Sequence, residues 1–220
     1  MSDLFAFMSP AAVTGEAAQL RTPIERTHLA AGATLVPEGR WRIAHYENEP
    51  GEAWLADISH LAKLDVRGSS DQIDRLTGDA ELGAASRRGE VWTMRFTPTW
   101  AVVVCPEQQL ADERERSGAG VTDMSCGWAA VALGGGNARE VLMRSSALDV
   151  RPKSFPPGAC RAGSVMRVPA LVLNEDGERY RMLVGWEVGE YFWDAILDAG
   201  HNFAITPVSA VVALRREVKA

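Results

Sequence analysis

His60 follows Asp57-Ile58-Ser59 at the start of an apolar alternation, a placement that sets an imidazole at the mouth of a strand, able to give or take a proton near pH 7. The same histidine reads equally as a cap on the strand end. His45-Tyr46 offers a second imidazole beside a phenol, and Tyr46 is either a ligand contact or a core aromatic with its hydroxyl satisfied. Arg181 lies in a strand pattern, where a guanidinium can clamp a carboxylate or pair with Glu178 or Glu187. The catalytic candidates are therefore His60, Tyr46 and His45.

Other chemistries lack their residues. The four histidines carry no His-x-x-x-His spacing, and Cys105, Cys126 and Cys160 form no zinc or redox motif, so no metal is expected and the cysteines read as small apolar residues. There is no Gly-x-Ser-x-Gly elbow for a nucleophilic serine. Gly134-Gly135-Gly136 opens a helix, but no Lys-Ser/Thr follows to hold a phosphate.

The elements that must position these residues come as a repeat. Asp57-Ile58-Ser59 and Asp123-Met124-Ser125 are each followed by an apolar strand, a glycine and a helical stretch. In the first copy Leu64 and Val66 alternate up to Gly68, then Ile73 and Leu76 fall three apart; in the second, 129–133 leads to the glycines, then Ala138, Val141 and Leu142. Each Asp-x-Ser is expected to close an Asx turn.

Further elements follow from local signals. Thr22, Pro23 and Glu25 read as a capping box opening a helix that Gly32 stops. Residues 91–104 read as a hairpin, 108–120 as a solvated helix or linker, and 165–173, broken by Pro169, as an edge strand or bulge. Asp176-Gly177 turns into a strand at 180–184, and Val188, Phe192, Ala195, Ile196 and Ala199 make one helical face ending at Gly200. The class is α+β: antiparallel strand pairs with helices packed across them. We expect an N-terminal arm over 1–20, a first half over 21–110, and a second half over 117–217 packed intimately against it.

At 220 residues, 46% hydrophobic and 24% charged, the chain is an ordinary globule with a net charge of -6, which disfavours nucleic acid because phosphate neutralisation needs a basic surplus. No apolar run approaches the roughly 20 residues of a membrane span, and Met1-Ser2-Asp3 lacks a basic leader, so a cytoplasmic location is expected.

Two groups of residues carry a family resemblance. Thr22-Pro23, 28–33, Trp41, His45-Tyr46, 57–61, Lys63, Val66 and Gly68 resemble the opening of the glycine-cleavage T-protein, an aminomethyltransferase. Residues 121–125, 138–142, 148–150, 155–158 and Tyr191-Phe192-Trp193 resemble the gamma subunit of heterotetrameric sarcosine oxidase. The resemblance implies a folate-binding-type fold of two related halves around a central channel. In the catalytic members tetrahydrofolate sits in that channel and receives a one-carbon unit, with an aspartate near the pterin nitrogen, a glutamate on the ring edge and an arginine from the last segment.

This sequence departs from that pattern at each place. The Gly-Gly-x-x-Asp-Asp loop that carries the aspartate is missing between residues 76 and 92, Arg181 follows Tyr180 where the glutamate is expected, and Val211 falls at the arginine when 214–217 is aligned. The family's C-terminal barrel is not expected. Leu61, Tyr180, Arg181 and Val211 are the ligand-binding candidates that the resemblance implies. It leaves three readings: an accessory subunit with a degenerate folate site in an amine-oxidising or one-carbon complex, beside oxidase-like partners; a stand-alone enzyme or homo-oligomer using the channel for another small molecule; or a tetrahydrofolate-dependent transferase.

Overall fold

A computed structural model describes residues 19–78 and 80–214. The N-terminal arm through residue 18 and the terminal stretch from 215 lie outside the described residues.

The chain runs β1 (Leu20–Arg21), α1 (Glu25–Ala30), β2 (Thr34–Glu38), β3 (Trp41–His45), β4 (Trp54–Asp57), β5 (Ala62–Arg67), α2 (Ser70–Thr77), β6 (Ala85–Arg88), β7 (Val91–Thr97), β8 (Trp100–Cys105) and α3 (Leu110–Ser117). It continues with β9 (Val121–Asp123), β10 (Trp128–Gly134), α4 (Ala138–Ser145), β11 (Cys160–Val165), β12 (Val168–Asn174), β13 (Arg179–Gly185), α5 (Gly189–Ala199), β14 (Thr206–Val208) and α6 (Ala210–Leu214). The class is α+β with mainly antiparallel sheets, as expected. A six-stranded sheet has the order β11-β12-β13-β10-β4-β14, a five-stranded sheet the order β6-β7-β8-β5-β9, and β1-β3-β2 form a small third sheet.

Alternating side chains sort into layers because successive strand residues face opposite ways. From β13, Tyr180, Met182 and Val184 join Val141, Leu142, Phe192, Trp193 and Ile196 of α4 and α5 under one sheet. The other face, with Leu183, Leu173, Ala130 and Ala132, meets Trp92, Met94, Val102 and Val104 of the second sheet. Beyond it, Leu64, Val66, Ala101 and Val103 pack on Ile73 and Leu76 of α2. The order is helices, sheet, sheet, helices. These apolar side chains fill the space between the two sheets through its middle.

The two Asp-x-Ser turns explain how the sheets are joined. The Ser59 amide donates to Asp57 Oδ1 at 2.9 Å and the Ser125 amide to Asp123 Oδ1 at 2.8 Å, the expected Asx turns. Each turn is then pinned by the other copy. The Ser59 hydroxyl accepts the Ala130 amide at 3.0 Å, while the Ser125 hydroxyl accepts the Lys63 amide at 3.1 Å. The strand ahead of each turn also pairs in the other copy's sheet, β4 beside β10 and β9 beside β5.

Three local readings need correction, and a fourth gains a packing reason. Helix α1 begins at Glu25, with Ile24 as its N-cap, and no capping box forms because the Glu25 carboxylate is drawn across to Arg42 at 2.6 Å. Strand β12 is interior, between β11 and β13; Pro169 lies opposite Ser164 of β11, and pairing with β13 starts only at Ala170. Helix α3 is not wholly solvated, since Glu113 is buried and held by Arg88 and Arg116. The triple glycine is a packing device: a Cβ at Gly134 would lie 2.0 Å from the Trp54 ring, and Gly135 has φ +101°.

Candidate functional site

Helix α1 buries Ile24 and, one turn later, His28, so an imidazole enters the core on the apolar face of the helix. His28 Nδ1 lies 2.8 Å from the Tyr46 hydroxyl and Nε2 lies 3.0 Å from Asp57 Oδ2. The Trp193 ring meets the imidazole edge-on at 4.7 Å between centroids. Burial alone would raise the Asp57 carboxyl, but hydrogen bonds from His28, the electrostatic pull of His28, and further bonds from Ser59 and Thr22 outweigh it and hold the group below its ordinary value. Burial, then Asp57, push the Tyr46 phenol up to about 12, so it stays protonated at neutral pH.

Lys63 lies beside this network with no exposure at all. Its ammonium nitrogen donates to the Ser59 carbonyl at 2.7 Å. Burial pushes its pKa from 10.5 down to about 7, against the pull of Asp57, Cys126 and Asp123. Thus the first Asp-x-Ser turn is a polar knot inside the protein, while its counterpart Asp123 is exposed and Ser125 half-buried.

The sequence candidates fall into two separate clefts. His60, Leu61 and Arg181 meet in a cavity of about 200 Å³, bordered also by Glu38, Arg87 and Glu90. His45, Tyr46 and Val211 lie instead around a second cleft of about 570 Å³ with Trp54, Arg179 and Ser209. The Ser209 hydroxyl there is saturated: it accepts the Tyr46 amide at 2.9 Å, donates to the Tyr46 carbonyl at 3.0 Å and lies 3.2 Å from His45 Nδ1. Tyr180 reaches neither cleft. It faces the helical layer, and its hydroxyl donates to the Gly177 carbonyl at 2.9 Å.

In the first cavity Arg181 is buried and paired with Glu175, also buried, rather than with Glu178 or Glu187. His60 is 9% exposed, and neither ring nitrogen has a hydrogen-bond partner among the described residues. Burial, helped by Lys63, lowers its pKa; Asp57, Glu38 and Glu107 oppose this only in part. Where the sequence lacks the acidic loop, β6 and β7 form a tight hairpin with Arg88 opposite Val91, and its turn brings Glu90 to the cavity. Among the described residues no group of three His, Cys, Asp or Glu could hold a metal ion. No described helix is long and apolar enough to cross a membrane.

Comparison with known proteins gives this layout a setting. The sarcosine oxidase, gamma subunit family matches residues 95–202. A curated aminomethyltransferase of Symbiobacterium thermophilum is 29% identical over 239 residues, covering 90% of this chain and 64% of the relative. A chain of the heterotetrameric sarcosine oxidase from Corynebacterium sp. U-96, in complex with pyrrole 2-carboxylate, superposes with a TM-score of 0.66 at 19% identity, over 84% of this chain and 96% of that one. The glycine cleavage system aminomethyltransferase T from Bartonella henselae gives 0.70 at 15% identity, over 89% and 60%. The chain resembles both the aminomethyltransferases and the sarcosine oxidase gamma subunits.

It shares the fold of both structures, and it spans under two thirds of the curated aminomethyltransferase's length. Sequence reasoning missed His28, Lys63, Glu90 and Glu175. Only His28 left a signal, four residues after Ile24 on the buried face of α1. A buried lysine inside a strand, or a glutamate that finds its arginine across a hairpin, has no local signature.

Proposed function

We propose that this protein is an accessory subunit of an amine-oxidising or one-carbon complex, with a degenerate folate site, working in the cytoplasm. The observation that carries the reading is Arg181. Its position, next to Tyr180 on β13, is where the resemblance expects a carboxylate to accept the pterin N–H groups. A guanidinium has no acceptor to offer, and this one is bound to buried Glu175. The residues present do not fit a pterin, so no step is routed through one.

Calorimetry with 5-formyltetrahydrofolate tests this. The natural protein is expected to release no binding heat. Because Arg181→Glu alone would face Glu175, the informative variant is the charge swap Arg181→Glu with Glu175→Arg, which keeps the pair and supplies a carboxylate to the cavity. Micromolar binding by the natural protein refutes the degenerate site. Purified alone, the chain is expected to leave sarcosine and glycine unchanged with or without tetrahydrofolate; turnover of either refutes the accessory role and favours a stand-alone enzyme.

A further inference from the structure

The cavity beside His60 gathers hydrogen-bond acceptors on apolar walls, beside the Arg87 and Arg181 guanidiniums and Gln108. Both arginines are tied through Nε, Arg181 to Glu175 and Arg87 to the Gly89 carbonyl at 3.0 Å, and the Arg87 guanidinium lies 4.9 Å from the Trp92 ring centre. Glu107 is likewise committed, to Arg40. Glu38 and Glu90 make no ion pair among the described residues. His60, nine-tenths buried, adds a ring whose nitrogens have no partner there. Burial favours its neutral form, in which one nitrogen is an acceptor. Trp41, Leu61 and Pro106 complete the wall.

We infer that this cavity is a binding site for a small alkylammonium ion, its N–H groups directed to Glu38, Glu90 and His60 and its alkyl groups to Trp41 and Leu61. An anion would meet unpaired carboxylates. A bare metal ion would lack ligands, since no group of three suitable side chains exists among the described residues. The volume sets the size of the guest. About 200 Å³ is a small space, suited to an ion of a few non-hydrogen atoms. The inference rests on the reading that the cavity does not take a pterin.

Nuclear magnetic resonance of the ¹⁵N-labelled histidine rings tests it, with the His60 signal assigned by its loss in His60→Gln. The probe is dimethylammonium chloride, with sodium chloride and sodium acetate at matched ionic strength as controls. We expect a saturable shift of the His60 ring with dimethylammonium alone, and at least a tenfold higher half-saturation in Glu38→Gln/Glu90→Gln, whose side chains are exposed and whose fold should be intact. No saturable shift, an equal response to acetate, or an unchanged half-saturation in the double variant overturns the site. Running 5-formyltetrahydrofolate on the same sample separates the two ideas. Folate binding overturns the degenerate-site reading and this one with it, whereas absence of both ligands overturns the ammonium site alone.

Discussion

Replacing Lys63 with methionine should change how stability depends on pH. The folded protein holds this amine at about 7, while the unfolded chain returns it to 10.5. Below pH 7 the fold therefore pays the whole cost of a charged amine without solvent. The unfolded state binds more protons between the two values, so stability rises with pH through that window and the cost vanishes near 10.5. At about 1.4 kcal/mol per pH unit the full gap is worth about 5 kcal/mol, with about 4 remaining at pH 7 and about 2 at pH 9. Lys63→Met removes this cost but leaves the Ser59 carbonyl without its donor, a loss of about 1 kcal/mol. The variant should thus be the more stable protein at pH 7, by about 3 kcal/mol, and the two stability curves should cross near pH 10. Urea unfolding followed by tryptophan fluorescence from pH 6 to 10 measures the difference; titrating groups remote from Lys63 cancel because both proteins carry them, while His60 loses the lowering influence of Lys63 in the variant. A difference independent of pH, or a variant weaker than the natural protein at pH 7, would refute the reasoning.

Other substitutions read the same interior. His28→Ala leaves the Asp57 carboxylate buried without its main partner and should cost about 3–5 kcal/mol in chemical denaturation, against about 1–3 for Tyr46→Phe, which strips one partner from the ring. The repeat predicts an asymmetry: Asp57→Asn should destabilise clearly more than Asp123→Asn, because only Asp57 is buried and bonded to a histidine; equal losses would contradict the polar knot. Arg181→Leu strands Glu175 and should lower stability by about 3–5 kcal/mol, with most of the loss recovered when Glu175→Leu is added. Of the three free cysteines, exposed Cys126 should react quickly with a thiol reagent. Cys105 and Cys160, whose thiols burial pushes up to about 12, should react only on unfolding.

The readable parts of this fold were those written in local periodicity. Trp92, Met94 and Phe96 alternate and do line one face of β7; Phe192 and Ile196 do seat α5; Asp176-Gly177 does turn β12 into β13. The Asp-x-Ser repeat announced two Asx turns, and both are present. What local pattern could not convey was which charged groups would be taken inside. Lys63 alternates with Ala62 and Leu64 as a solvent-facing residue would, yet it is covered completely, and Glu113 is buried through Arg88 from a distant hairpin. The candidate site was legible in the same uneven way. His60, Leu61 and Arg181 come together, but His45 and Tyr46 line another cleft. Arg181 was visible as a departure from the family pattern; its partner Glu175 was not, since that pairing depends on the register of the β12–β13 hairpin.

The exchange of β4 and β9 between the sheets has a consequence for how such a chain can come apart and how it can be assembled. Neither copy owns a finished sheet. Cutting the chain between residues 117 and 121 would leave each fragment holding a strand that belongs to its sister and missing one of its own, so the fragments should be disordered separately and regain structure when mixed. The arrangement is that of a strand-swapped homodimer whose two chains have been joined end to end, and the joined molecule should melt in one cooperative step because no partial structure keeps both sheets whole.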